Sequence, residues 1–197
     1  MLIFYLVRHG NTEHNKNGIV IGQSDSALTN AGLENANFIA DKLCNIGFKV
    51  IYTSDLGRAS ATAFIIAKKL EMEEDVFFAK ELRELDFGIY AGRPKTEVVQ
   101  NCPEFKTDVT YTFPNGENYN QLMDRVLKFI KNLEEKYPDQ TLLLVTHSGV
   151  IRAINSFFRG WNFQDHLKLH IPHEYIGKFV LDNNQPVSCE ELGPDLL

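Results

Sequence analysis

The amino-acid sequence predicts an α/β fold, in which a mostly parallel central sheet carries helices on both faces and residues 1–197 form one domain. Apolar runs of strand length alternate with segments whose apolar residues recur at helical spacing, as in strand–helix–strand units. This alternation of strands and helices favours a parallel or mostly parallel sheet covered on both faces. The chain is also long enough to bury one substantial core.

Two strand–helix units open the chain. Residues 2–7 (LIFYLV) predict a buried strand, and residues 48–54 (FKVIYTS) predict a second. A helix is expected between them over residues 29–46, and another is expected to begin at a cap on Ser54 or Asp55. The helical positions expected to face the core are Leu33, Ala36, Ala40 and Leu43 in the first helix and Ala59, Thr62, Ala63, Ile66, Ala67 and Leu70 in the second.

The alternation continues in the second half of the chain, on either side of an irregular segment. Glycine and proline punctuate residues 87–116, which show no sustained periodicity, so we interpret them as a flap inserted into the domain. The other elements predicted here are a short strand at 76–78, a helix over 117–137, a strand at 141–145, a helix to about 158 and a last strand at 175–181.

Composition and charge argue against several classes of partner. The formal net charge of −6 and the pI of about 5.5 do not favour binding to nucleic acid or to an anionic membrane. No apolar stretch approaches the ~20 residues that a membrane span requires. Cys44, Cys102 and Cys189 are widely spaced, so we expect no disulfide framework or zinc ribbon, and a cytoplasmic location. The oligomeric state stays open.

Unusual polar residues follow three of the predicted strands. Arg8 and His9 end the first strand, Arg58 lies in the first turn of the helix after the second, and His147 and Ser148 follow a later strand. Ligands of open α/β sheets bind at the carboxyl ends of strands, so these residues are expected to face one crevice. A cation in the first helical turn opposes the helix dipole by ~0.3–1 kcal/mol unless an anion lies nearby. The pattern therefore predicts a phosphate pocket.

Each of these residues also has an ordinary structural explanation. Arg58 alone is compatible with a solvated surface residue, and His147 alone with a helix cap or a partner for a buried carbonyl. Arg8 and His9, adjacent at a strand end, are harder to explain in this way. The coincidence of three equivalent strand ends is what favours a site.

Other phosphate chemistries require motifs that the sequence lacks. It contains no G-x-x-x-x-G-K-[ST] loop and no cysteine with an arginine at the sixth following position. No D-x-D pair follows a strand, and neither G-x-S-x-G nor H-E-x-x-H occurs. Histidine therefore remains as the candidate nucleophile.

A second group of histidines has the spacing of metal ligands on a helix. His166, His170 and His173 are separated by four and three residues. Pro172 would interrupt such a helix, and no cysteine or acidic partner completes a tetrahedral set. We therefore expect surface or core histidines here, and no metal.

Five blocks of the sequence resemble, in the correct order, the motifs of the histidine phosphatases, or phosphoglycerate mutase-like superfamily. Thr12 and Asn15 also stand where that family has them. One R-H-G is a weak signal, whereas ordered blocks over most of residues 3–155 are specific. The blocks are LVRHG (6–10), GQSDSALTNAG (22–32), SDLGRASATA (54–63), ELRELDFGIYAG (81–92) and VTHSGVIR (145–152).

The resemblance implies a phosphoglycerate mutase-like fold and a role for each matched residue. Glu84 would be the general acid and then the general base, although the sequence alone does not separate it from Glu81 or Asp86. The implied reaction needs neither a metal nor a cofactor. The remaining implied roles are a nucleophile that forms a phosphohistidine for His9, contacts to the phosphoryl oxygens for Arg8, Arg58 and His147, and completion of the phosphate pocket for Asn15 and the backbone near Gly10 and Ser148.

The leading functional hypothesis is a phosphomonoesterase acting on a small cytoplasmic phosphate ester. Residues 87–116 carry only Arg93, Lys95 and Lys106 as cations, which favours hydrolysis over isomerisation, because the mutase relatives have a longer and more basic flap. A cofactor-dependent phosphoglycerate mutase-type isomerase and a non-catalytic phosphate-binding module remain as alternatives.

The sequence does not choose the substrate. Asn11, His14 and Ser148 depart from the usual family residues without removing a charged or transferring group, so they bear on substrate choice. The family includes enzymes that act on α-ribazole phosphate, on sugar phosphates and on many esters. The aromatic side chains that either contact a substrate or fold back onto the core are Phe87, Tyr90, Phe105, Tyr111 and Phe113.

Overall fold

A six-stranded mixed sheet forms the centre of the described protein. The computed structural model describes residues 1–162, 165, 167 and 169–192. The strands are β1 (Leu2–Arg8), β2 (Val50–Thr53), β3 (Val76–Phe78), β4 (Thr141–Thr146), β5 (Ile176–Asp182) and β6 (Gln185–Leu192). Their order is β3-β2-β4-β1-β5-β6, with β1 to β4 mutually parallel and β5 and β6 antiparallel to their neighbours. The predicted α/β class with a mostly parallel sheet is confirmed.

Helices cover both faces of the sheet. They are α1 (Glu13–Lys16), α2 (Asn30–Leu43), α3 (Gly57–Leu70), α4 (Lys95–Asn101), α5 (Tyr119–Lys136) and α6 (Ser148–Arg159), with short 3₁₀ turns at Glu73–Asp75, Lys80–Leu82, Gly88–Tyr90 and Pro103–Lys106. Alternate side chains of β1 enter two separate cores: Phe4 and Leu6 pack with α5 and α6, whereas Tyr5 and Val7 pack with α2 and α3. Both faces of β1 are therefore buried, as its unbroken apolar sequence predicts. No helix among the described residues is both long and apolar enough to cross a lipid bilayer.

The helix starts differ from the sequence prediction in two places. Leu33, which was expected to face the core, is 42% exposed, because α2 buries Gly32 and Ala36 instead. The N-cap of α3 is Leu56, without a side-chain capping bond, so the predicted cap on Ser54 or Asp55 is wrong. The Ser54 hydroxyl does accept a hydrogen bond from the Leu56 amide, but it belongs to a turn before the helix.

Strand β6, helix α4 and the single-turn helix α1 were not predicted. The polar strand β6 pairs with β5 through a turn in which Asn183 and Asn184 both have positive φ, 50° and 61°. Such an Asn-Asn pair favours a tight hairpin, but it lies beside a strand too polar to show a core pattern. The short helix α4 lies inside residues 87–116, where Phe113 is buried among neighbouring aromatic rings.

The first turn of α2 packs directly against the loop that follows β1. A Cβ atom on Gly10 would lie 2.2 Å from the Gly32 carbonyl oxygen, and one on Gly32 would lie 2.1 Å from the Asn11 carbonyl oxygen. Both obstacles are backbone atoms, which cannot rotate away. The two glycines therefore allow a backbone contact that sets the position of the β1 loop.

We expect Gly32→Ala to lower the free energy of unfolding by about 1–3 kcal/mol, because the added methyl group forces α2 away from the β1 loop. Urea unfolding monitored by circular dichroism measures the effect. Gly47→Ala is the matched control, since nothing lies within 4 Å of a Cβ at that exposed position. Equal stabilities of the two variants would contradict the proposed close packing.

Candidate active site

The carboxyl ends of β1, β2 and β4 open into a cavity of about 600 Å³. Because β1 and β4 are adjacent and parallel, with Arg8 opposite Thr146, the residues that follow them become neighbours. The ring centroids of His9 and His147 are 5.0 Å apart. The predicted site residues that line the cavity are Arg8, His9, Asn15, Arg58, Glu84 and Ser148.

His9 is buried with one ring nitrogen fixed and the other turned towards a guanidinium. Its Nδ1 lies 2.8 Å from the Gly10 carbonyl oxygen, and because a carbonyl can only accept, Nδ1 carries the proton. Nε2 therefore carries the lone pair, which accepts a hydrogen bond from Nε of Arg58 at 3.3 Å. Burial, assisted by the charges of Arg58 and Arg8, holds the pKa of His9 well below its usual value. The imidazole is thus neutral and its Nε2 is suited to nucleophilic attack.

Two guanidinium groups lie beside His9 without a carboxylate partner in the described part of the chain. Arg58 is 2% exposed and donates to the carbonyl oxygens of Gly22 and Ser24 at 2.7 and 2.9 Å. Arg8 donates to the Ile171 carbonyl at 2.6 Å, and its buried Nε has no hydrogen-bond partner among the described residues. Burial lowers the pKa of each arginine to about 10, so both remain charged at neutral pH. Buried, unneutralised charge of this kind is suited to an anion.

His147 lies behind the cavity wall as the N-cap of α6 and is fully buried. Its Nε2 is 2.9 Å from Ser54 Oγ, whereas its buried Nδ1 has no hydrogen-bond partner in the part of the chain that the structure describes. Burial, with Arg58 and His9, holds the pKa of His147 well below its usual value. Ser54 is thus a residue that the sequence indicated only as a helix cap, and it leaves Nδ1 as the nitrogen that can contact a ligand.

The side-chain carboxylate of Glu84 lies at the N-terminus of α6. Its carboxylate accepts hydrogen bonds from the Gly149 amide at 3.0 and 3.2 Å, from the Leu85 amide at 3.0 Å and from the Ser148 hydroxyl at 3.2 Å. A Cβ on Gly149 would lie 2.1 Å from Glu84 Oε1, so only glycine leaves room for this contact. Glu81, in contrast, is exposed, and Asp86 binds the Gly88 amide. The structure thus separates Glu84 from the two acidic residues beside it in sequence.

Arg125, on α5, binds the main chain of the segment that carries Glu84. The sequence did not indicate this role. Its guanidinium donates to the carbonyl oxygens of Arg83 and Glu84 at 2.8 and 3.1 Å and to that of Glu81 at 2.5 Å. An ion pair with Glu117 at 2.7 Å holds the guanidinium in place. Nothing in the sequence distinguishes Arg125 from the other cations on the polar face of α5, because its partners are main-chain carbonyls distant in sequence.

Gly10 and Asn15 differ in their relation to the cavity. The Gly10 amide donates to Thr62 Oγ1 at 3.0 Å, and its carbonyl is the acceptor for His9, so Gly10 orients His9 and does not line the cavity. Asn15 lines the cavity, and its Oδ1 accepts from the Thr12 hydroxyl at 2.9 Å. The Asn15 amide NH₂ is therefore the group available to a ligand.

Of the three histidines for which no metal was predicted, the structure describes His170 and His173. His173 Nδ1 donates to the His9 carbonyl oxygen at 2.9 Å, and burial lowers the pKa of His173 to about 4. His170 lines the cavity, and His166 lies outside the described residues. In residues 1–162, 165, 167 and 169–192, no three His, Cys, Asp or Glu side chains are arranged to hold a metal ion.

The fold and the geometry define a class: an α/β protein with a preformed anion site around a neutral imidazole at the carboxyl ends of its parallel strands. The chain belongs to the histidine phosphatase superfamily (branch 1), whose family model matches residues 4–190. The family resemblance carried by the five sequence blocks is thereby confirmed.

Relatives of known name carry several activities. A metal-independent phosphoserine phosphatase from Arabidopsis thaliana is 36% identical over 156 residues, which are 76% of this chain and 65% of that protein. This chain thus spans slightly less than two thirds of the Arabidopsis relative. A probable phosphoglycerate mutase from Escherichia coli is 33% identical over 165 residues, 81% of this chain and 76% of that one. The solved α-ribazole phosphatase from Shigella flexneri is 26% identical, covers 93% of this chain and 92% of its own, and has a TM-score of 0.82.

The neutral histidines make stability depend on pH. Unfolded histidine has a pKa of about 6.5, whereas folding lowers the pKa of His9, His147 and His173, so unfolding takes up protons below pH 6.5. We expect the free energy of unfolding to fall by about 3 kcal/mol between pH 6.5 and 5.5, about 1 kcal/mol for each ring, measured by urea titration at both values. His147→Gln should show about two thirds of this dependence. A free energy that does not change over this interval would mean that the three rings are protonated in the folded state.

Proposed function

We propose that this protein is a phosphomonoesterase that transfers a phosphoryl group from a small-molecule ester to Nε2 of His9 and then to water. The observation that carries the proposal is the Nε2 lone pair of a buried neutral imidazole, 3.3 Å from a guanidinium that has no carboxylate partner among the described residues. A phosphoryl group in the cavity would replace Nε2 as the acceptor for Arg58. The same arrangement thus supplies both the nucleophile and the charge that holds its target.

In the first step of the proposed reaction, Nε2 of His9 attacks phosphorus and the bond from phosphorus to the ester oxygen breaks. Arg8, Arg58 and Nδ1 of His147 bind the phosphoryl oxygens, where positive charge favours the transition state. The protonated carboxyl group of Glu84 gives its proton to the departing oxygen, and the alcohol leaves. The product is a phosphohistidine with Glu84 as a carboxylate.

In the second step, the Glu84 carboxylate takes a proton from water as the water oxygen attacks phosphorus. The bond from Nε2 to phosphorus breaks, which releases inorganic phosphate and restores the neutral imidazole. Ser148 and the Gly149 amide hold Glu84 through both steps. Splitting the displacement in this way requires one residue to act as acid and then as base at a single position.

Hydrolysis is favoured over isomerisation by the small number of cations above the site. Of the three in residues 87–116, Lys95 and Lys106 line the cavity and Arg93 does not. A phosphatase must release its alcohol, whereas a mutase must retain a doubly phosphorylated intermediate. The named relatives include two phosphatases, which supports the same reading. We propose a cytoplasmic location, consistent with the three free cysteines.

We expect wild-type protein to release inorganic phosphate from phosphomonoesters without converting 3-phosphoglycerate to 2-phosphoglycerate, and His9→Ala to release none. Acid-quenched protein incubated with a ³²P-labelled ester should carry acid-labile phosphate in the wild type only, as expected for phosphohistidine. Lys68→Gln, which alters an exposed residue of α3 outside the cavity, is the control for folding and background. Isomerisation would establish the mutase alternative, and a lack of turnover and labelling would leave a binding module.

We expect Glu84→Gln to reduce kcat for alkyl phosphates by about 10²–10⁴-fold, because an amide cannot protonate the departing alkoxide. With p-nitrophenyl phosphate, whose leaving group needs little protonation, the first step should be much less affected, so a burst of p-nitrophenolate should persist. Stopped-flow detection of p-nitrophenolate measures that burst. Glu81→Gln changes an exposed carboxylate nearby and serves as the matched control. Equal losses on both kinds of ester would assign the proton transfer to another residue.

A further inference from the structure

Ser54 lies beside His147 because the strands that precede the two residues are adjacent. β2 and β4 pair in parallel, and the Ser54 amide continues this pairing with a hydrogen bond to the Val145 carbonyl at 3.0 Å. Ser54 Oγ and His147 Nε2 are 2.9 Å apart, and both residues are fully buried. The sheet therefore fixes the position of the hydroxyl relative to the imidazole.

The hydrogen-bond partners of Ser54 locate the proton on the His147 ring. Ser54 Oγ accepts from the Leu56 amide at 3.3 Å, and its other partner in the described part of the chain is Nε2 of His147. A buried hydroxyl places its one hydrogen on an acceptor, so the hydroxyl donates to Nε2. Nε2 therefore carries the lone pair, and the proton of the neutral ring lies on Nδ1. The opposite tautomer would leave the hydroxyl hydrogen without an acceptor among the described residues.

The charge around His147 makes the position of this proton important. Burial and the charges of Arg58 and Arg8 lower the pKa of His147, so the ring is neutral and each nitrogen either donates or accepts. Guanidinium groups by themselves favour a lone pair on a nitrogen that faces them, whereas the oxygens of a phosphate require an N–H. Nδ1 lies across the ring from the Ser54 contact and has no hydrogen-bond partner in the described chain. The Ser54 hydroxyl thus gives Nδ1 the polarity that an anion requires.

We propose that Ser54 is a positioning residue, whose hydroxyl holds His147 in the tautomer that presents Nδ1–H to the phosphoryl oxygens. This inference rests on the proposed function and adds a residue to it. Ser54 is not among the residues that line the cavity, so it acts through the imidazole. The donor is then in place before the ester binds, and no proton has to move as negative charge develops on the phosphoryl group.

Nuclear magnetic resonance of protein labelled with ¹⁵N-histidine tests the tautomer directly. We expect a protonated Nδ1 and an unprotonated Nε2 for His147, assigned by the loss of its signals in His147→Ala. Ser54→Ala should shift these signals towards the opposite tautomer, because the surrounding positive charge then decides the position of the proton. The matched control is Ser60→Ala, which removes a hydroxyl that donates to the Gly57 carbonyl at 3.0 Å in the first turn of α3 and should leave the signals unchanged.

Kinetics test the consequence for the reaction. We expect Ser54→Ala to lower kcat/KM for alkyl phosphates, and the affinity for inorganic phosphate as a competitive inhibitor, by about 10–100-fold, the range of one charge-assisted hydrogen bond. Ser54→Thr keeps the hydroxyl and should restore most of the activity. Ser60→Ala should retain the wild-type rate. Circular dichroism verifies that each variant is folded, and the wild-type resonances remain decisive if Ser54→Ala does not fold.

A double-mutant cycle shows whether Ser54 acts through the imidazole. The combined Ser54→Ala, His147→Ala variant should be no slower than His147→Ala alone, because the hydroxyl then has no ring to orient. Equal losses in the two backgrounds would overturn the proposal, as would a wild-type His147 ring protonated on Nε2 or a tautomer unchanged in Ser54→Ala. A wild type that hydrolyses no ester would instead refute the proposed function, while the resonances still report the tautomer, so the two failures are distinguishable.

Discussion

The contact between Arg58 and His9 is the constraint on which the rest of the site depends. A guanidinium that is almost fully buried, with two carbonyl oxygens and an imidazole nitrogen as its partners, imposes positive charge on a region that burial already makes unfavourable for a second cation. Both adjacent imidazoles therefore stay neutral, and an anion becomes the ligand that relieves the imbalance. In the proposed reaction, the buried positive charge of Arg58 thus has two effects. It keeps His9 neutral, so that the imidazole can act as a nucleophile, and it attracts the phosphoryl group that His9 attacks.

The group that binds Glu84 and the groups that give the cavity its positive charge come from different parts of the fold. The N-terminus of α6, which in many α/β proteins binds the ligand phosphate, here holds the carboxylate of Glu84. At the end of the cavity that we propose to bind phosphate, the positive charge comes from side-chain guanidiniums. Hydrogen bonds to main-chain carbonyls hold these guanidiniums in position. Close contacts that exclude a β-carbon fix the distances between these parts: Gly10 and Gly32 contact main-chain atoms, and Gly149 contacts the Glu84 carboxylate. The site is thus assembled mainly by main-chain atoms, with side chains supplying the charge.

The parts of the structure that could be predicted from sequence are those with a local signature. Apolar strands that end in charged residues indicated the candidate site, and an arginine in the first turn of α3 indicated an anion. The sequence indicated Ser54 only as a helix cap and did not indicate Arg125, because their partners, His147 and the Arg83–Glu84 backbone, are remote in sequence. Strand β6 lacks an apolar pattern since most of its residues are exposed at the sheet edge. Leu33 was misplaced because glycine, which carries no hydrophobic signal, sets the rotation of α2.

The segment before β5 supplies three backbone or side-chain anchors to groups encoded far earlier: the Ile171 carbonyl to Arg8, the His173 ring to the His9 backbone, and the Leu169 carbonyl to Arg152. A ribosome that has exposed only the first 152 residues has therefore delivered every proposed reactive side chain but none of these anchors. The proposed site is therefore completed late in translation, when the hairpin of β5 and β6 pairs with β1. Until then, the nascent polypeptide carries an unorganised set of charges and gives cellular phosphate esters no defined place to react.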